Sequence, residues 1–178
     1  VIAGRFAALQ RGEARPPVFL PYVAGERTPV WDGDARGAFV GLSDRHTAAD
    51  LLYSVLEGVV FSVAHIWSGL PGELTRGVAR IRLGGGASEN GLMNRMKAAL
   101  LGLTLEIPAE KNTGALGAGL IAAAGSGAYP SLAAAVAEYV ALAGAVAPAD
   151  DPAPLRRRFE LYRRLSGLNR AYGVAAAL

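Results

Sequence analysis

The sequence predicts an α/β domain, and three observations predict it. Short apolar or alternating runs, each bounded by Gly or Pro, are interleaved with longer runs whose apolar residues recur every three or four positions. One of the latter, residues 47–69, is long enough for a six-turn helix. At residues 80–102, "RIRLGGGASENGLMNRMKAALLG", the period switches from two to 3.6 across three consecutive glycines, the pattern of a strand that turns into a helix.

Taken in order, "PVFLPYV" at 17–23 reads as a buried strand, and "AGERTPVWDGDAR" at 24–36 as a polar loop broken by Gly25, Pro29 and Gly33. A second strand, "GAFVGL", spans 37–42. Thr47 stands at an N-cap position with Asp50 three residues later, resembling a capping box. Leu52, Leu56, Val59, Val63 and Ile66 then predict the buried face of a helix over 47–69. Gly58 lies inside it at a cost of about 1 kcal/mol relative to Ala, which a close packing contact would justify. After a loop at 69–77, Ala79, Ile81 and Leu83 alternate with Arg80 and Arg82 as a strand. The glycine turn follows, then a helix with Leu92, Met93, Met96 and Leu100 on one face. "LTLEIP" at 103–108 is a further strand ending at Pro108, and two Ala-rich helices are expected at about 114–124 and 131–143. "APADDPAP" at 147–154 reads as a linker before a last helix at about 154–170 that buries Leu155, Phe159, Tyr162 and Leu165. The α/β core is therefore expected over 17–146, with linker and helix over 147–178, in a single domain over 1–178, which the family resemblance given below implies is a partial one.

Composition narrows the classes of function. The 178 residues are 52% hydrophobic and 7% aromatic, enough for a core that packs backbones closely. The net charge of +3 is small, and Arg156, Arg157, Arg158, Arg163 and Arg164 read as the solvated face of a helix, so no nucleic-acid partner is expected. No cysteine is present, which excludes disulfides and thiolate metal sites, and two histidines, His46 and His65, are too few for most zinc centres and are expected to be structural. No basic region followed by an apolar one marks a signal peptide. Residues 114–136 carry no charge over a span-like length, but Ala, Gly, Gly125-Ser126-Gly127 and Pro130 predict two soluble helices and no membrane partner.

The glycine turn is the candidate site. It lacks the Gly-Lys-Ser/Thr of a Walker loop, and Glu89 stands where the dinucleotide pattern needs glycine. Glycines nevertheless let a flat or charged ligand approach the main chain, and a following helix aims its free N–H groups at the same place. Asn90 offers a donor and an acceptor suited to a purine edge. A ligand-free strand-to-helix turn accounts for the same residues equally well.

Residues 21–63 resemble the C-terminal domain of the FGGY carbohydrate kinases. The family's second signature is matched by Gly37, Phe39, Gly41-Leu42, a seven-residue spacer, Asp50, Leu51, Ser54, Val55, Leu56 and Glu57. "GERTPVWDGDARG" is most similar to the loop of xylulokinases and gluconokinases, and "GGGASEN" at 84–90 and "GALGAGLIAAAG" at 114–125 follow in the family's order.

The resemblance implies a ribonuclease-H-like, actin-like ATPase domain, a cytoplasmic enzyme, and transfer of the γ-phosphoryl of ATP, with Mg, to a sugar or polyol hydroxyl, D-xylulose being favoured. It places nucleotide contacts on Gly84, Gly85, Gly86 and Ala87, and adenine on Asn90. It also implies that the catalytic carboxylate, the sugar-binding N-terminal domain and the first strands with their Gly-Thr turn precede Val1. No catalytic residue or metal ligand is therefore assigned here. Glu57 is expected to bond backbone, and Glu26, Arg27, Asp32 and Arg36 to form a charge network or to contact ligand. Asn112 and Thr113 depart from the usual acid and small residue, so neither is given a ligand role. The segment alone is expected to be inactive, and to form homo-oligomers or pair with the absent part through an unpaired strand edge at 37–42. The alternative is a non-catalytic actin-like nucleotide-binding domain with a regulatory or scaffold role.

Overall fold

The computed structural model describes residues 5, 8–9, 15–149 and 151–171; the rest of the 1–178 span lies outside the described residues. The chain forms two compact units, one from Val1–Thr75 with Asp150–Leu178 and one from Arg76–Ala149.

In the first unit, β1 (Val18–Leu20) pairs antiparallel with β2 (Ala38–Val40), setting Phe19 opposite Phe39 with ring centroids 4.6 Å apart. The helix α1 (Ala48–Gly69) starts at Thr47 as expected. Thr47 donates to Asp50 Oδ2 from its N–H at 2.8 Å and from its hydroxyl at 2.7 Å, and Arg5 Nε donates to Asp50 Oδ1 at 2.9 Å. Burial alone would raise the Asp50 pKa; the Thr47 hydrogen bonds and Arg5 outweigh it and hold it at about 2.

The buried face of α1 is not the one that periodicity predicts. Leu52, Val59 and Val63 are exposed, while Ala49, Tyr53, Val60, Phe61 and Ala64 form the packed face together with Asp50, Ser54 and Glu57. The helix is apolar on both sides, so its period could not choose between them. The polar residues that seem to disqualify the packed face each have a partner. Gly58 meets the expected close contact: a Cβ there would stand 2.5 Å from the Phe19 carbonyl oxygen. A short helix, α2 (Gly72–Thr75), follows. Among the described residues α1 alone is long and apolar enough to cross a membrane, and half of its window is buried inside the structure.

The second unit carries a three-stranded sheet. Strand β3 (Arg80–Arg82) runs parallel to β4 (Thr104–Pro108), the two joined through the helix α3 (Gly91–Leu101). Glu106 on β4 pairs with Arg82 at 3.1 Å and Arg80 at 3.4 Å on the adjacent strand. The Ala-rich stretch forms α4 (Thr113–Gly125) and α5 (Leu132–Tyr139), a thirteen-residue and an eight-residue helix. The second stops short of 143, because Leu142–Val146 is a strand, β5, antiparallel to β4.

The last helix, α6 (Ala153–Ala171), packs on β1 and α1. Tyr162 is fully buried against Phe61 and Phe159, at centroid distances of 5.4 and 6.3 Å. Tyr22 donates to Ser166 Oγ at 2.7 Å and meets the Tyr162 hydroxyl at 2.9 Å. Since Tyr22 has one hydroxyl proton, Tyr162 is the donor in that second bond.

Two expectations about charged residues are corrected here. Arg158 is no part of a solvated face. Its Nε and Nη2 donate to Glu57 Oε1 and Oε2 at 2.8 and 2.5 Å, and its guanidinium also donates to the carbonyls of Pro16 and Pro17 at 3.1 and 3.3 Å. Glu57, 1% exposed, thus takes a guanidinium and not the backbone as its partner. One planar fork ties α6 to α1 and to the entry of β1.

Candidate functional site

Where β3 ends, its last hydrogen bond runs from the Leu83 N–H to the Glu106 carbonyl at 2.9 Å, and the three glycines begin. They are not equivalent. Gly84 is pressed against the start of α4, where a Cβ would lie 2.7 Å from Thr113 Oγ1. Gly85 has φ +81°, in the left-handed region that side chains disfavour by about 1–2 kcal/mol. Gly86 faces open space, with no atom within 4 Å of where a Cβ would be. The first two glycines are explained by the fold; the third is not.

Between glycines and helix lies a feature the sequence did not suggest. Gly86–Glu89 form a 3-10 turn, closed by Ser88, whose N–H and hydroxyl both donate to the Gly85 carbonyl, at 3.0 and 2.7 Å. Helix α3 therefore begins at Gly91, not at the glycines. Asn90 is its N-cap, its Oδ1 accepting from the Met93 N–H at 3.1 Å. The Oδ1 of the Asn90 amide thus accepts from the helix, and its Nδ2 is the donor end. Asn94, 1% exposed, braces the turn from below by donating to the Ser88 carbonyl at 2.6 Å. Lys111 pairs with Glu89 at 2.8 Å beside it.

Ala87 sits inside the 3-10 turn, so Gly84, Gly85, Gly86, Ala87 and Asn90 form one continuous rim of main chain and small side chains. A flat ring or a phosphate can reach the backbone over Gly86 without displacing a side chain. Among the described residues no group of three His, Cys, Asp or Glu side chains could hold a metal ion.

The loop at 24–36 is organised through backbone. Glu26 and Asp32 exchange N–H···O bonds of 2.8 and 2.9 Å, Trp31 N–H donates to the Arg27 carbonyl, and Arg36 Nη1 donates to the Gly33 and Ala35 carbonyls. His46 is structural: its Nδ1 accepts from the Ser43 N–H and its Nε2 donates to the Arg15 carbonyl, both at 2.9 Å.

Residues 3–126 match the profile of the FGGY family of carbohydrate kinases, C-terminal domain. The chain belongs to that family. An erythritol kinase of Brucella abortus is 32% identical over 153 residues, which cover 84% of this chain and 29% of that protein. A glycerol kinase of Thermus brockianus is 36% identical over 121 residues, 68% of this chain and 24% of that one. The solved xylulose kinase of Lactobacillus acidophilus superposes with a TM-score of 0.73 at 25% identity, over 87% of this chain and 31% of that chain. Plasmodium falciparum glycerol kinase, solved with ADP, gives a TM-score of 0.73 at 17% identity over 93% of this chain and 33% of that one, which speaks for the fold alone. The fold is that of the FGGY sugar kinases, an actin-like ATPase fold, and the chain spans less than a third of the length of these relatives.

Proposed function

We propose that this FGGY chain supplies the nucleotide site of an ATP-dependent carbohydrate kinase, which transfers the γ-phosphoryl of ATP to a sugar or polyol hydroxyl. The observation that carries this is Gly86. It is a glycine with neither a positive φ nor a neighbour to require it, at the exposed lip of a strand-to-helix turn. The missing side chain leaves the space above the main chain open to a ligand. In this reading Gly84 and Gly85 shape the turn, Gly86 and Ala87 lie under the adenosine and its phosphates, and Asn90 Nδ2 donates to the purine. Phosphoryl transfer is mostly a matter of positioning and charge neutralisation, so the chain's part is to hold the donor still. Mg enters with the phosphates of ATP and offsets their charge. The reaction belongs to the cytoplasm, where ATP is available. D-xylulose is the favoured acceptor because of the "GERTP" loop, ahead of gluconate, glycerol and erythritol.

The test exploits the open space. The Cβ of Gly86→Val meets no described atom within 4 Å, and the change is expected to leave the thermal midpoint within about 1 °C, while weakening ADP binding at least tenfold by calorimetry. Unchanged ADP affinity removes the assignment.

The same reading makes the chain one part of a two-lobed enzyme. Among the described residues its β1–β2 ribbon has two strands, and Leu52, Val59 and Val63 leave an apolar stripe on α1. We expect the chain alone to self-associate and to show no sugar phosphorylation, and Leu52→Lys with Val59→Lys to shift it towards monomer. Light scattering that finds a dispersed monomer without those changes contradicts the association, and turnover by the purified chain contradicts the division of labour.

A further inference from the structure

A cavity of about 380 Å³ opens in the first unit, between α1, α6 and the Pro29–Val30 stretch of the loop. That is the size of a small-molecule site. Its chemistry is lopsided: Arg163 and Arg164 line it from α6, with Ser166 and Gly167 one turn on, and His65 lines it from α1. Glu160 is the one carboxylate on its wall and is already engaged, 3.5 Å from Arg163. Arg164 has no carboxylate partner among the described residues.

His65 is the telling residue. Its ring stands edge-on to Tyr162, with centroids 6.1 Å apart, and its Nδ1 is buried with no hydrogen-bond partner. A buried imidazole nitrogen without a partner carries a desolvation cost, which His46 avoids by using both ring nitrogens. Desolvation first, and the nearby Arg163 second, lower the pKa of His65, so it is neutral at pH 7. Tyr162 and Arg163 face it from α6, and Ser68 on its own helix is turned to the His65 carbonyl.

We propose that this cavity binds the phosphate group of a small phosphate monoester, as a second ligand site separate in sequence and in unit from the glycine turn. Two guanidinium groups match the charge of a phosphate near −2 and fork onto its oxygens. The volume left over takes the organic part of the ester. The ligand's negative charge offsets the repulsion from Arg163, so the His65 imidazole takes up a proton as the ester binds.

The 178-residue chain is titrated calorimetrically with glycerol 3-phosphate, inorganic phosphate and malonate, each against sodium chloride of equal ionic strength. Two buffers of different ionisation enthalpy are used. Glycerol 3-phosphate should bind saturably and more tightly than the other two, taking up more protons than it does with His65→Gln, by a margin that rises as pH falls from 8 to 6. Arg163→Gln with Arg164→Gln should weaken it at least tenfold; the protons that the ester itself releases on binding as a dianion are common to parent and His65→Gln and cancel in that margin. Glu160→Gln should tighten it about threefold by freeing Arg163. Gly86→Val should leave it unchanged, which keeps this site's test apart from that of the nucleotide site. No saturable binding, equal binding by the double arginine variant, or a preference for malonate or inorganic phosphate overturns the proposal.

Discussion

Gly58→Ala is expected to destabilise the protein by about 3 kcal/mol, the upper end for overpacking a close-packed site. The added methyl would stand 2.5 Å from the Phe19 carbonyl oxygen and 3.1 Å from its ring, and neither can retreat freely. The carbonyl belongs to β1, held on its other side by pairing with β2, and the ring packs at a tilt against Phe39. Propensity alone predicts the opposite sign, since Ala for Gly inside a helix is worth about 1 kcal/mol. Gly117→Ala supplies the control. It lies inside α4 with no atom within 4 Å of its would-be Cβ, and the same change there should be neutral or mildly stabilising. Urea unfolding of the two variants decides the matter; equal midpoints would mean that α1 and β1 are not in this contact.

Arg158→Met is expected to cost 3–5 kcal/mol at pH 7, the range for removing one partner of a buried ion pair. Glu57 would be left enclosed without its counter-charge, and the Pro16 and Pro17 carbonyls would lose their donor. The pH dependence makes the prediction specific. Burial raises the Glu57 pKa above its ordinary value, and Arg158 pulls it partly back. Without Arg158 the upward shift grows. For an acid whose folded pKa is raised, the folded state holds the proton longer than the unfolded state. The associated stability is complete below the unfolded value, near 4.5, and is lost as pH climbs through the folded pKa. The variant should therefore lie closest to the parent in mildly acidic buffer and furthest from it at neutral pH. Asp50 works the other way, its stabilisation fading as pH falls from about 4 towards 2, but it is common to both proteins and cancels in the difference. Glu57→Gln with Arg158→Met should recover most of the loss at pH 7. A gap that stays constant from pH 5 to 8 would show that Glu57 does not carry the effect.

Much of the architecture was legible in the sequence because local chemistry decided it. Thr47 and Asp50 mark the start of α1 by a reciprocal hydrogen-bond pattern that needs no tertiary partner. Gly102, at φ +67° after α3, and Pro108 at the end of β4 act the same way. What escaped depended on partners far along the chain. The stretch "LAGAV" has the composition of a helix and becomes β5 only because β4 offers it an edge. The choice of face on α1 turned on Arg5 and Arg158, which neutralise Asp50 and Glu57, and no period within the helix carries that information. At the glycine turn, position was readable but geometry was not. The 3-10 turn takes the place assigned to the helix mouth, and Asn90 spends its acceptor as a cap. The Arg163, Arg164 and His65 cavity was hidden for the reason α1 was misread: its histidine and arginines are about a hundred positions apart and meet only when α6 returns.

That return sets an order of events during synthesis. Residues 76–149 can pair β3, β4 and β5 as soon as they leave the ribosome, since every strand of that sheet comes from one uninterrupted stretch. The earlier-made segment must wait, because Tyr22 and Glu57 lack their partners until Tyr162, Ser166 and Arg158 have been translated. Within this span the earlier-made segment is the last to become native, and in the interval it is what a chaperone would hold.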